Sequence, residues 1–290
     1  MLRIAVPNKG ALSQGATDML TEAGYRQRRS SRDLQSVDAD NGVEFFYLRP
    51  GDIATYVASG DLDLGITGRD LAVNSGAEVE EVLALGFGRS TFRYAGRPGE
   101  IDSVAGLDGK RIATSYPGVV QRDLDAHGVK TAIVELAGAV ENAIALGVAD
   151  AIADVVETGT TLKQAGLAVF GDPIMHSEAV LVRKTGNGDS ATEAGQATER
   201  AVEQLLRRLR GVLVARSYVM LAYDVRAELL EAAVELTPGI ESPTISPLHR
   251  EGWVAVQSMT ERADLHRVMD ALYELGARGI LASNIDACRL

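Results

Sequence analysis

The run Asp150-Ala-Ile-Ala-Asp154-Val-Val-Glu-Thr158-Gly159-Thr160-Thr161-Leu162 sets a carboxylate, a glycine and three hydroxyls beside one another. Its apolar first half reads as a short buried strand that delivers Asp154 to its end. The Thr-Gly-Thr-Thr turn follows, and a helix then starts. A helix start offers free N–H groups and a partial positive charge. Gly159 lets the backbone come close to a ligand, and Thr158, Thr160 and Thr161 add donors. Asp154 is suited to sugar hydroxyls or to a metal. The layout therefore fits a sugar phosphate better than a bare phosphate. Taken alone, the same residues also make an ordinary strand-to-helix turn with Thr as N-cap.

Three other strand-to-helix turns carry cations. Lys9 lies in Pro7-Asn8-Lys9-Gly10, after the first strand; Arg49 precedes Pro50; Arg69 lies in Gly65-Ile-Thr67-Gly68-Arg69-Asp70. Lys is a mobile point charge and Arg a planar fork, and both suit phosphate. In open α/β sheets ligands sit beyond the carboxyl ends of strands. Lys9, Arg49 and Arg69 are thus expected to form a cationic wall facing the Thr158–Thr161 cradle. The histidines, His127, His176, His249 and His266, show no zinc-site spacing. No P-loop, G-x-S-x-G or G-x-G-x-x-G motif occurs.

The elements that must hold these residues follow from periodicity. Strands are expected at 2–6, 34–37, 43–48, 62–66, 79–85, 91–95, 111–114, 131–136 and 150–155, with helices between many of them. Alternation of this kind implies parallel sheets covered on both faces. Two units are expected, 1–90 and 91–184, forming a cleft between two facing α/β lobes. A polar glycine-rich link from Lys184 leads to a helix capped by Asp189 or Ser190. That helix, near 189–211, returns to the first lobe and ends at Gly211. Residues 212–290 read as βαββαβ, the ferredoxin-like arrangement, beginning with a strand at 212–223.

Composition narrows the function classes. The chain has 290 residues, 46% hydrophobic and 24% charged, with a net charge of −11. That balance suits a globular protein and argues against nucleic-acid or anionic-membrane partners. A single cysteine, Cys288, allows no internal disulfide and fits a reducing cytoplasm. The N-terminus opens directly as a strand, without a signal-peptide pattern, and no apolar run reaches membrane-spanning length.

Glu141-Asn-Ala-Ile-Ala-Leu-Gly147 through Leu162 resembles the signature of the ATP phosphoribosyltransferases. The likeness extends to Arg3–Gly10, Leu48–Ile53, Asp63–Leu71, Arg111–Pro117, Tyr218–Asp224, Thr237–Thr244 and Gly279–Ser283. The tail segments resemble the long form of that family. The resemblance implies two periplasmic-binding-protein-like lobes and a C-terminal regulatory domain. It implies Mg²⁺-dependent transfer of the 5-phosphoribosyl group from phosphoribosyl pyrophosphate to N1 of ATP, the first step of histidine biosynthesis, inhibited by histidine in dimers that build hexamers. The donor would meet Glu141, Asp154, Thr158, Gly159, Thr160, Thr161 and Leu162. Lys9, Arg49 and Arg69 would face the pyrophosphate and the ATP phosphates. Mg²⁺ would ride on the substrate diphosphate, with Asp154 or Glu141 as the carboxylates in reach. Asp224, Ile240, Thr244, Gly279 and Ser283 would line the histidine site, Gly279 replacing a small side chain. Two rival readings remain open on residues alone. One is a non-catalytic bilobal ligand-binding or sensor protein, and the other a phosphoribosyltransferase with a different acceptor.

Overall fold

The structure, a computed structural model, describes residues 1–28, 30, 32–156, 159–186 and 192–289. The chain divides into two compact units, residues 1–21 with 25–202 and residues 22–24 with 203–290. The first unit holds two α/β lobes.

Lobe I begins with β1 (Leu2–Pro7), α1 (Ala11–Glu22), β2 (Gln35–Asp38) and β3 (Val43–Leu48). It continues through α2 (Ile53–Ser59), β4 (Leu64–Gly68), α3 (Arg69–Ser75) and β5 (Val79–Ala84). β1 is buried along nearly its whole length, with Ile4, Ala5 and Val6 at 0% exposure. A parallel strand covered on both faces needs such an unbroken apolar run. β2 and β3 form an antiparallel hairpin that turns at Gly42, where φ is 65°.

Lobe II comprises β6 (Ser90–Gly96), β7 (Arg111–Thr114), α4 (Pro117–His127), β8 (Ala132–Glu135) and α5 (Asn142–Ala145). It closes with β9 (Ala151–Val156), α6 (Thr160–Gln164) and β10 (Ala168–Ser177). The chain then returns as β11 (Ala179–Lys184).

Among the described residues the first sheet has the order β2-β3-β1-β4-β11-β5 and the second β10-β6-β9-β7-β8. Neither sheet is wholly parallel, contrary to the expectation from alternation. β11 runs against β4 and β5, and β6 against β9 and β10. The cause is topological. The chain leaves lobe I after β5 and re-enters through β11, and the strands made by these crossings run opposite to their neighbours. β11 thus pairs within the first sheet rather than with the 91–184 segment. β10, which sequence reasoning did not pick out, flanks the second sheet.

α7 spans Glu193–Ser217. The expected caps, Asp189 and Ser190, lie outside the described residues. Thr192 Oγ1 accepts the Gly195 N–H at 3.0 Å and caps the helix. Gly211 does not end it: helix continues six residues further, and the strand expected from 212 begins at Tyr218. A side chain at Gly211 would collide with the carbonyl of Cys288, so close approach explains this glycine.

The second unit adds β12 (Tyr218–Arg226), α8 (Leu230–Leu236), β13 (Thr244–Pro247), β14 (Trp253–Glu261), α9 (Leu265–Leu275) and β15 (Arg278–Asn284). The antiparallel order β13-β14-β12-β15 is the ferredoxin-like one. Leu221, Tyr223 and Val225 alternate into a core with Val268 and Leu272 of α9, and Val219 is buried in the same alternation. The opposite sheet face, with Met220, Ala222 and Asp224, is less buried.

Alanine in a helix interior ordinarily gains ~0.5–1 kcal/mol over glycine. Gly211→Ala is instead expected to destabilise by ~1–3 kcal/mol, the cost of overpacking. Urea unfolding monitored by circular dichroism reads this, and a raised midpoint would contradict the close-approach account.

Candidate active site

β9 carries the second lobe's chemistry to its carboxyl end. Its start is pinned by Arg111, whose Nη2 donates to Asp150 Oδ1 at 2.9 Å and whose backbone N–H donates to Oδ2 at 2.9 Å. The guanidinium holds the Asp150 carboxyl at about 2. This grip fixes the β7–β9 register, which pairs Ala113 with Ile152, and so sets the height at which Asp154 emerges.

Past the strand, Gly159 adopts φ 71° at the N-cap of α6, a left-handed conformation that suits glycine. Thr160 and Thr161 open the helix, and Leu162, 8% exposed, plugs it into the lobe with Ile152, Ala143 and Ile144. Glu141, Ile152, Asp154, Val155, Val156, Gly159, Thr161 and Leu162 line one cavity of about 260 Å³. The sequence-derived donor residues therefore come together, apart from two. Thr160 is not on that lining, and Thr158 lies outside the described residues, as does Glu157.

Two carboxylates share this cavity. Burial raises the Asp154 carboxyl above its ordinary range; the Val155 N–H donated to Oδ1 at 2.8 Å opposes this, and Glu141 adds a further raise. Asp154 is thus held at a cost that a bound cation or a hydroxyl donor relieves. Tyr116, at the mouth of α4, was missed as a candidate. Burial pushes its phenol up to about 12, with Asp70 and Asp154 contributing, so it stays neutral. Its ring packs edge-on against Phe92 at 5.2 Å. Its position after a strand end, in Ser115-Tyr116-Pro117, was the available signal.

Lobe I brings its turns to one edge. β1 pairs in parallel with both β3 and β4, so Lys9, Arg49 and Arg69 follow neighbouring carboxyl ends. The Asn8 N–H donates to the Leu48 carbonyl at 2.8 Å, and Thr67 Oγ1 donates to the Pro50 carbonyl at 2.7 Å. Lys9 and Arg49 are exposed. The side-chain oxygen of Asn8 is buried without a partner.

Arg69 departs from expectation. Its Nε and Nη2 each donate to Glu81 at 2.8 Å, and Nη1 donates to the His176 carbonyl at 3.2 Å. Glu178 lies 3.5 Å from Nη2. Arg69 borders a second cavity of about 480 Å³ that shares Val156 with the first. With its fork engaged by carboxylates, it does not present a free cation to phosphate. Glu81 and Glu178, its neutralising partners, were not foreseen because their pairing spans distant segments.

In the second unit, Asp224 and Gly279 are brought together. The β12–β15 register shifts between Ala222 and Asp224. Gly279 has φ 60°, and a Cβ there would stand 3.4 Å from Asp224 Oδ2, which accounts for glycine where a small side chain was expected. Thr244 lies on β13, paired with Gln257, and Ser283 on β15, paired with Met220. Thr244 and Ser283 are therefore on the outer strands, three strand spacings or ~14 Å apart across the sheet. Ile240 follows Gly239 in the α8–β13 loop and is 37% exposed. That loop is anchored from below by Ser258 Oγ, which donates to the Thr237 carbonyl at 2.9 Å.

Fold and site define a two-lobed α/β protein with a cavity at a strand end, lined by Glu141, Asp154, Gly159 and Thr161, and a ferredoxin-like domain appended. The ATP phosphoribosyltransferase family profile matches residues 49–211, and the profile of its C-terminal domain matches residues 215–287. The ATP phosphoribosyltransferase of Streptomyces avermitilis is 61% identical over 290 residues, covering 100% of both chains. That of Salinispora tropica is 62% identical over 290 residues, with the same coverage. Among solved structures, the ATP phosphoribosyl transferase (HisG:HisZ) complex from Thermotoga maritima is similar at 28% identity and a TM-score of 0.60, over 72% of this chain and 99% of that one. The chain belongs to the ATP phosphoribosyltransferase family and is a transferase. No helix among the described residues is long and apolar enough to cross a membrane.

The raised Asp154 carboxyl has a consequence for stability. The folded state favours its protonated form, so ionisation costs stability above the raised value. Below the ordinary range both folded and unfolded states are protonated and no difference remains. Asp154→Asn is expected to raise the melting midpoint measured at pH 7. The gain should vanish as pH falls below the ordinary carboxylate range. A lower midpoint at pH 7 would show that Asp154 is stabilising rather than strained.

Proposed function

We propose that the chain transfers the 5-phosphoribosyl group from phosphoribosyl pyrophosphate to N1 of the adenine of ATP, giving phosphoribosyl-ATP and pyrophosphate. This is the first committed step of histidine biosynthesis. The observation that carries the reading is the single cavity shared by Glu141, Asp154, Gly159 and Thr161, in a chain about 60% identical to enzymes of that name.

The chemistry asks little of a base. Adenine N1 already has a lone pair, so attack on the anomeric carbon forms the N1–C1′ bond as the bond from C1′ to pyrophosphate oxygen breaks. Positive charge grows on the ribose and negative charge on the leaving group. Positioning and electrostatics therefore supply most of the rate. In this reading the Thr158–Thr161 loop holds the 5-phosphate, with Leu162 seating the helix behind it. Asp154 accepts from the ribose hydroxyls, and Glu141 stands beside it. Lys9 and Arg49, whose charges are exposed at the strand ends of lobe I, face the pyrophosphate and the ATP phosphates. The engagement of Arg69 with Glu81 takes it out of that set.

The cofactor in this reading is Mg²⁺. No group of three or more metal-ligating side chains occurs among the described residues, while Asp154 and Glu141 offer two carboxylates at the cavity. That donor set fits an ion carried mainly by the substrate diphosphate, since Mg²⁺ keeps much of its shell as water and phosphate oxygen. Bound there, it would neutralise the leaving group.

The C-terminal unit is read as a histidine sensor lined by Asp224, Ile240, Thr244, Gly279 and Ser283. Their spread over three strands and the α8–β13 loop goes with a homo-oligomer, dimer to hexamer, in which neighbouring chains complete the site. The location is cytoplasmic, and the partners are small molecules.

Release of pyrophosphate and the absorbance change of alkylated adenine, followed with ATP and donor, test the reaction. Arg49→Ala should lower kcat/KM ~10²-fold, the usual loss for one charge-stabilising donor. Unchanged turnover and affinity would remove Arg49 from the site. For regulation, the ratio of rates with and without histidine should approach one in Asp224→Ala. Full inhibition of that variant would exclude the carboxylate from histidine binding.

A further inference from the structure

Two crossover segments join the lobes, Leu85–Arg89 and Ser177–Ala179, and they run side by side. The Leu85 N–H donates to the Ala179 carbonyl at 2.9 Å, and the Ala179 N–H donates to the Phe87 carbonyl at 2.8 Å. The Gly86 N–H donates to Glu178 Oε2 at 3.0 Å. These two adjacent segments are the connection between the two sheets.

Arg69 grips that connection from the first turn of α3. Its fork holds Glu81 of β5, the strand that leads into the first crossover. Its Nη1 reaches the carbonyl of His176 on β10, in lobe II. Its own backbone N–H donates to the Glu178 carbonyl at 3.0 Å, and the next N–H, of Asp70, donates to Ser177 Oγ at 3.1 Å. One side chain thus touches lobe I, lobe II and the second crossover. The far end of α3 also bears on lobe II. Asn74 Oδ1 accepts the Gly118 N–H at 2.9 Å, and any Cβ at Gly118 would strike the Asn74 backbone. Val73 packs against the core of lobe II.

We infer that Arg69, braced by Glu81 and Glu178, is a hinge clamp that fixes the angle between the lobes, and so acts as a positioning residue rather than as a phosphate ligand. Loss of the clamp lets the lobes swing from the arrangement in which Asn74 meets Gly118. A smaller share of molecules is then ready to bind, and apparent affinity falls by that share while the saturated rate is kept.

The test compares Arg69→Lys, which keeps the charge but loses the fork, with Glu81→Gln, which keeps the shape but loses the charge. In the ligand-free protein, hydrogen exchange at the Leu85, Gly86 and Ala179 amides should rise about tenfold in each variant, with β1 unchanged. The double variant should exceed neither single by much, because both remove one interaction. This readout needs no turnover, so it stands even if the assigned reaction fails. In the enzyme assay, Glu81→Gln should raise the donor KM about fivefold with kcat within about twofold. The proposal is overturned if Glu81→Gln exchanges like the parent while Arg69→Lys alone loses substrate affinity, which would mark Arg69 as a direct contact. It is equally overturned if either variant speeds exchange evenly across lobe I, which would mark general destabilisation.

Discussion

A carboxylate held partly out of water at the end of β9 is the constraint around which the rest is arranged. The Asp154 carboxyl is pushed above its ordinary range by its own burial and by Glu141, so the cavity is an unfavourable place for its charge. The fold tolerates this because Arg111 and Asp150 lock the strand at its other end. Leu162 packs the following helix into the core. Any partner that supplies a hydroxyl donor or a positive charge to Asp154 would relieve that cost. Binding energy and site strain are then two sides of one arrangement.

The two-lobed plan follows from how the chain is threaded. Leaving through β5 and returning through β11 gives mixed sheets, and it leaves two adjacent segments as the connection. A cleft enzyme needs its halves to move, but over a limited range. Arg69 spans the connection with bonds to Glu81 and His176, and α3 meets α4 at Asn74 and Gly118. Lys9 and Arg49 are exposed at the strand ends of lobe I, whereas the fork of Arg69 is taken up by Glu81.

Much of this was legible in residue order, and the failures have identifiable causes. Strand ends, glycine turns and the donor cradle are local features, and Glu141, Asp154, Gly159 and Thr161 do share a cavity. So is the βαββαβ tail, whose alternation along β12 survives in its burial. Strand direction is not local, so the antiparallel β6 and β11 were beyond reach. Gly211 resembled a helix stop, yet its reason is the approach of Cys288 from 77 positions later (288 − 211). Arg69 looked like its neighbours Lys9 and Arg49 until Glu81 and Glu178 appeared around it. A cation's role depends on partners that spacing does not reveal.

The most direct measurement is a crystal structure with phosphoribosyl pyrophosphate bound. The 5-phosphate oxygens should lie within hydrogen-bonding distance of the Gly159–Thr161 backbone and the Thr161 hydroxyl, with the ribose hydroxyls on Asp154. A donor seated with that phosphate on lobe I, and Asp154 left bare, would contradict it.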